Sequence, residues 1–157
     1  MTLQGDIKTY SRQEIQFSYR HSTFPTDEIL IEAIFKCKKG NPDKILEDRK
    51  NASQGRKSTQ PLKFRSAGSI FKNPSKKLAA GYLIDEVGLK GTSHGGATIS
   101  EKHANFIVNT GGATAEDVFF LIKLAKLKVA EKFNINLELE VKLIGFPETM
   151  TKDIGYA

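Results

Sequence analysis

Three short stretches carry the residues able to do chemistry. Ser69 stands in RSAGSIFKNP (Arg65 to Pro74), after a glycine and before two apolar residues, with Lys72 and Asn73 just beyond. A serine hydroxyl attacks carbon only when a base lies beside it, and the neighbouring residues supply none. The same hydroxyl can still give a proton or bind a substrate oxygen. In LELEVKLIG (Leu137 to Gly145), Leu137, Leu139, Val141 and Leu143 alternate with Glu138, Glu140 and Lys142. On a strand the first set faces the core and the second faces away. That polar face is either solvated or lines a cleft. The third stretch, Tyr19-Arg20-His21-Ser22, is either an exposed strand end or an arginine placed to grip a carboxylate through its fork of donors.

Other chemistries lack their residues. His21, His94 and His103 are widely spaced and form no HExxH or Cys-His pattern, so no metal is expected. No phosphate loop of the Gly-Lys-Ser/Thr kind occurs, and AGSIF does not match Gly-x-Ser-x-Gly. The glycine-rich GLKGTSHGGATIS (Gly88 to Ser100) reads as a loop with tight backbone approach, and it lacks the strand before and helix after of the dinucleotide-binding pattern. Cys37 is the single cysteine, with no nearby His or Asn to activate it.

The chain has 157 residues, 39% hydrophobic and 27% charged, the composition of an ordinary soluble globular protein. No apolar run reaches the roughly 20 residues of a membrane span, and the first residues have no apolar signal core. With one cysteine, no intrachain disulfide forms, and a cytoplasmic location is expected. The net charge is +6, and the excess between Arg56 and Lys90 accounts for all of it. A local basic zone around RSAGSIFKNP points to an anion site or a solvated face. It lacks the aromatic-basic interleaving of a nucleic-acid platform.

Elements must hold these residues. EIQFSYRHSTF (Glu14 to Phe24) and EILIEAIFKCKKG (Glu28 to Gly40) read as a β-pair around Pro25. Asn41-Pro42-Asp43 opens a helix that runs through ILEDRKNAS, and Ser53 to Pro61 reads as a connector. A second helix is expected over roughly Lys77 to Val87, ended by Gly88. HANFIVN reads as a short strand. Thr114 and Asp117 form a capping box for a helix with Val118, Leu121, Ile122, Ala125, Val129 and Phe133 at helical spacing. Ile135 to Gly145 reads as a strand and the tail as a loop. The order gives an α+β class: a mainly antiparallel sheet with helices on one face, preceded by a β-pair. The domain boundary is expected near residues 41–50, giving units 1–40 and 41–157.

Taken in order, FSYRHSTF, STQPLKFRSAGSIFKNP, AGYLIDEVGLKG, HGGATISEKHANFIVNTGGATAEDV and LELEVKLIG resemble the UDP-N-acetylenolpyruvoylglucosamine reductases. These flavoenzymes make UDP-N-acetylmuramate for bacterial peptidoglycan. The resemblance runs from about Phe17 to Gly145, and five ordered motifs make it specific. It implies the substrate-binding domain of that family, preceded by the last strands of its flavin-binding domain. It implies an NADPH- and FAD-dependent reduction of the enolpyruvyl group of UDP-N-acetylglucosamine-enolpyruvate. By the same resemblance Ser69 is the proton donor, while Glu140 and Arg20 stand beside the enolpyruvyl carboxylate. Asn73 contacts pyrophosphate, and Lys72, Tyr19 and Lys57 join the substrate site. The family often has a lysine where this chain has Thr59, and Lys57 is the nearest substitute.

The family's N-terminal FAD-binding half has no counterpart before Phe17. The chain is therefore expected neither to hold FAD firmly nor to turn over alone, and a flavin-binding segment is the expected partner. The alternative is a non-catalytic nucleotide-sugar or regulatory module of the same fold.

Overall fold

The computed structural model describes residues 1–155, and the chain divides into two compact units, Met1–Leu46 and Glu47–Ala157.

In the first unit, β1 (Phe17–Ser18) and β2 (His21–Ser22) form a two-stranded antiparallel hairpin, with Phe17 opposite Ser22 and Ser18 opposite His21. The turn residues are Tyr19 and Arg20, and Arg20 takes a left-handed φ of 56°. Such a φ is uncommon for a long side chain, and strained backbone of this kind collects at functional turns. The expected pairing of Glu14 to Phe24 with Glu28 to Gly40 does not form: the first stretch folds back on itself in this hairpin, and the second makes no strand. Ile29 exchanges backbone hydrogen bonds with Met1 (2.9 and 2.8 Å), and among the described residues no ladder continues beyond it. A strand exists only where a neighbour completes its ladder. The apolar residues of the run therefore stay out in solvent, with Ile34 88% and Phe35 81% exposed. Glu28 is instead an anchor: it takes Lys8 Nζ at 2.6 Å and the Tyr10 hydroxyl at 2.9 Å. Lys8 holds the Glu28 carboxyl below its ordinary range.

The helix α1 (Pro42–Thr59) starts as its sequence dictates, with Asn41 Oδ1 accepting the N–H groups of Asp43 and Lys44. It absorbs most of the expected connector. Nothing before Pro61 forbids helical backbone, and the Ser58 and Thr59 hydroxyls both donate to the Gly55 carbonyl inside the helix. It buries no residue.

The second unit is built on a four-stranded antiparallel sheet in the order β3 (Arg65–Ser69), β6 (Phe106–Asn109), β5 (Ala97–Ile99), β4 (Ser93–His94). The stretch read as a glycine-rich loop contains the β4–β5 hairpin, with Gly95 and Gly96 as its two-residue turn. Gly-Gly is a strong hairpin signal in its own right. The sheet is covered by α3 (Ala115–Phe133), which lies against β4, β5 and the short α2 (Ala80–Glu86). Thr114 and Asp117 form the expected capping box, and Phe119, Leu121, Ile122, Ala125 and Val129 are buried. These join Ile70, Phe71, Leu83, Ile84, Ile99 and Leu137 in one core. The helix read from Lys77 begins at Ala80, because Ser75 to Leu78 is spent on a tight turn.

Two further expectations change. Ile135 to Gly145 is not a regular strand: only Leu139 forms a bridge, with Phe71. The Glu140 and Val141 N–H groups both turn to the Ile70 carbonyl, which breaks the ladder's regular spacing. The alternation in burial nevertheless holds. Leu137 is buried, Leu139, Val141 and Leu143 pack on the core, and Glu138 and Lys142 are exposed. The tail is not a loop throughout, since α4 (Glu148–Lys152) follows Pro147 and is seated by buried Thr151 and Ile154. Its last two residues lie outside the described part of the chain. No helix among the described residues is long and apolar enough to cross a membrane.

Candidate active site

The site is assembled on the edge strand β3. Ser66 faces Val108 and Ser69 faces Phe106, so β3 carries one more residue than β6 between those pairs. That extra residue makes a β-bulge, which bends a strand and re-aims a side chain. Gly68 supplies it with a φ of 85°, and a Cβ there would meet nothing within 4 Å. Backbone conformation, not crowding, therefore calls for glycine at this point. Ser69 lies at the end of the bulge, half-buried, and none of the side-chain hydrogen bonds among the described residues involves its hydroxyl.

The chain beyond Ser69 is held from both sides. On one side the Ile70 N–H donates to the Asn105 carbonyl at 2.9 Å. On the other, the Glu140 N–H donates to the Ile70 carbonyl at 2.8 Å, and the Lys72 N–H donates to the Glu138 carbonyl at 2.9 Å. Ser69, Lys72 and Glu140 thus share one short length of paired backbone. Glu140 is half-buried, unlike its exposed neighbours Glu138 and Lys142. Lys72 Nζ lies 3.2 Å from Glu138 Oε2 in a largely exposed ion pair, an arrangement that contributes little stability and is easily exchanged for another anion.

Asn73 accepts the Ala80 N–H at 3.1 Å through Oδ1, so its carbonyl end serves the start of α2. Lys57 is exposed in the last turn of α1, and its carbonyl takes Lys102 Nζ at 2.6 Å. Lys102, from the β5–β6 connection, is a second cation at this position that sequence reasoning did not single out. Tyr19 and Arg20 belong to the first unit, where the Arg20 guanidinium carbon lies 5.3 Å from the Tyr19 ring centroid.

Asn105 is the residue most clearly missed. It is 4% exposed, and its carboxamide accepts the Phe71 N–H (2.9 Å) and donates to the Phe71 carbonyl (2.8 Å). The signal was present as an asparagine inside the apolar run HANFIVN. Its own N–H donates to His103 Nδ1 at 3.2 Å. Burial, aided by the Lys90 charge, holds the His103 imidazole below its ordinary value.

The Gly95-Gly96 pair does not fit the pyrophosphate of a dinucleotide. The Gly96 N–H is already given to Asp117 Oδ2 (3.2 Å), and a Cβ on Gly96 would lie 2.3 Å from the Gly111 carbonyl and the Ala113 nitrogen. This glycine pair is closed against its own chain, whereas a pyrophosphate needs open, convergent N–H groups. Hydrogen bonds from Thr114 and then Gly96 hold the Asp117 carboxyl low. The surface groove lined by Glu86, Val87, Lys128, Glu131 and Lys132 contains none of the candidate residues. Among the described residues no three His, Cys, Asp or Glu side chains cluster as metal ligands.

An α+β domain with a bulged serine tied through one residue to a half-buried glutamate of the last extended segment is the class of protein defined by this geometry. The sequence profile of the C-terminal domain of UDP-N-acetylenolpyruvoylglucosamine reductase matches residues 60–144. The chain belongs to that family. It is 48% identical to the UDP-N-acetylenolpyruvoylglucosamine reductase of Fervidobacterium nodosum over 140 residues, 88% of this chain and 45% of that protein. It is 46% identical to the enzyme of the same name from Chloroherpeton thalassium over 156 residues, 94% of this chain and 50% of that one. A crystal structure of UDP-N-acetylenolpyruvylglucosamine reductase from Thermus caldophilus superposes with a TM-score of 0.72 at 42% identity, covering 85% of this chain and 47% of the other. The chain spans about half the length of the curated relatives it matches.

Proposed function

We propose that this chain is the substrate-binding portion of a cytoplasmic UDP-N-acetylenolpyruvoylglucosamine reductase and supplies the proton half of the reduction. Membership of the family supports the reaction class. The bulge at Gly68 carries the site assignment, because it sets the motif serine one residue from the carbonyl that holds Glu140. The first unit is assigned to the flavin-binding portion of the family, and its exposed apolar run is the part that meets the flavin-binding partner segment.

Reducing the enolpyruvyl double bond adds hydride to one carbon and a proton to its neighbour. FAD and NADPH, held outside this chain, supply the hydride. Ser69 gives the proton. Its acidity is weak, but the carbon it meets is strongly basic once negative charge has spread onto the adjacent carboxylate, and a small hydroxyl can reach it closely. Arg20 offers a fixed fork of donors to that carboxylate. Glu140, tied by its backbone to Ile70, orients the same end of the substrate. The UDP end meets the basic zone: Lys72 and Lys57 as cations and Asn73 through Nδ2, the donor end of its carboxamide, with Tyr19 completing the contact.

The test is a chemical-shift titration of the chain with UDP-N-acetylenolpyruvoylglucosamine. Saturable shifts centred on Ser69, Asn73 and Glu140 are expected. No shift at millimolar ligand would overturn the assignment of the substrate site.

A further inference from the structure

Asn105 has no chemistry to offer a substrate, yet it is among the most completely used polar side chains in the second unit. It lies at the end of the connection into β6, 4% exposed. Three hydrogen bonds run from this residue to two consecutive residues of the chain after Ser69. Its carbonyl accepts the Ile70 N–H, Oδ1 accepts the Phe71 N–H, and Nδ2 donates to the Phe71 carbonyl. The carboxamide thus acts as an extra backbone unit. A strand neighbour would offer one acceptor and one donor at this place, and the side chain provides both. It is needed because the bulge at Gly68 shifts the β3–β6 register immediately before. A bulge leaves ladder groups unmatched, and a buried backbone N–H or carbonyl without a partner costs as much as a lost hydrogen bond.

The opposite edge of the same segment binds the residues that precede and include Glu140. Ile70 gives its carbonyl to Glu140, and Lys72 gives its N–H to Glu138. Phe71, between them, is 2% exposed and fixed from the Asn105 side. The position of the Ile70–Lys72 segment is therefore set by Asn105, and the position of Glu140 is set by that segment.

We infer that Asn105 is a positioning residue: its carboxamide clamps Phe71 and thereby fixes Ser69 and Glu140 in register across the bulge. The catalytic meaning of that register rests on the proposed reduction, whereas the clamp itself is a property of this chain and is tested without ligand.

The test is amide hydrogen exchange on the full chain, comparing the native protein with Asn105→Asp and Asn105→Leu. A protonated carboxylic acid can accept from the Phe71 N–H and donate to its carbonyl, as the carboxamide does. A carboxylate can only accept, and it faces the Phe71 carbonyl as a buried charge. In Asn105→Asp, protection of the Ile70, Phe71, Lys72 and Glu140 amides, corrected for intrinsic exchange, is expected to be near native at pH 5. It is expected to fall about tenfold or more by pH 8. The α3 amides of Leu121 and Ile122 should hold within about threefold over the same range, and the native chain should show no loss of protection toward pH 8 at the four clamp amides. In Asn105→Leu the four amides should be weak at both pH values. Unchanged protection at the clamp in both variants would overturn the inference. So would a loss shared equally by α3, which would make Asn105 a contributor to overall stability only. Addition of UDP-N-acetylenolpyruvoylglucosamine separates the two readings. No ligand-induced shift in the native chain sinks the substrate assignment, while the ligand-free exchange result still decides the clamp.

Discussion

The Glu140 N–H donates to the Ile70 carbonyl at 2.8 Å, which ties the only half-buried carboxylate of the last extended segment to the residue after Ser69. Two stretches some seventy residues apart in sequence become one edge, because Leu137 and Leu139 must face the core on one side of that segment. Burial of the leucines fixes the face, and the hydrogen bond fixes the register. Neither residue needs the other's side chain for this arrangement, so chemistry and folding can be separated by substitution.

Ser69→Ala is expected to leave stability within about 0.5 kcal/mol of the native chain, because the hydroxyl is half-buried and spends no hydrogen bond on the fold. In the complete enzyme the same change should leave reduction of the flavin by NADPH intact and slow reduction of the enolpyruvyl substrate by about 10² to 10⁴. Denaturant unfolding and single-turnover absorbance measure the two effects. A fast enzyme without the hydroxyl would remove Ser69 from the role of proton donor.

Gly68→Ala separates backbone shape from packing. A methyl at Gly68 meets nothing within 4 Å, yet φ there is 85°. The strain should cost about 1 to 2 kcal/mol. The reporter is the Ser69 and Phe106 amide shifts, which should move while α3 shifts stay in place. If stability and those shifts are both unchanged, the bulge does not depend on glycine.

Much of the fold was legible where side chains repeat against a single core. Thr114 with Asp117 and the spacing from Val118 to Phe133 predicted α3 from its cap onward, and the leucine alternation from Leu137 placed Glu140 away from the core. What failed did so where the deciding partner is remote in sequence. Glu28 to Gly40 has strand composition, but a strand is a relation between two segments and this run has no ladder beyond Ile29 among the described residues. The Gly95-Gly96 pair was read as loop, although its role is to let β4 turn back onto β5 against Gly111 and Ala113. Within the site, Ser69 and Glu140 carried visible motifs, whereas Asn105 acts through Phe71, thirty-four residues away in the chain; an asparagine inside the apolar run HANFIVN marks a buried polar group but does not name its partner.

The first unit should associate in solution. Ile34 and Phe35 are 88% and 81% exposed, with exposed Leu30 and Ile31 just before them across Glu32, an apolar stretch of the kind that soluble monomers seldom leave open. Light scattering is expected to show self-association that rises with concentration. The double substitution Ile34→Glu and Phe35→Ser should reduce it without lowering the melting temperature, since neither side chain is buried. A monodisperse native monomer at high concentration would contradict this.

Acid should weaken the second unit through His103. Its folded-state value lies below the ordinary 6.5, first because the ring is buried and then because of Lys90. Between that depressed value and 6.5 the unfolded chain binds the proton more readily than the folded one, so stability falls as pH drops through this window and recovers above it. Protonation also converts Nδ1 from the acceptor of the Asn105 N–H into a donor, which sets two N–H groups against each other at the base of the clamp. Unfolding free energy measured by urea from pH 7.5 to pH 5 should therefore decline. His103→Gln, which can keep an acceptor near Asn105 but does not titrate, should remove the part of that slope that belongs to the imidazole. If the native and His103→Gln profiles stay parallel across the window, the ring is not the group that responds to acid.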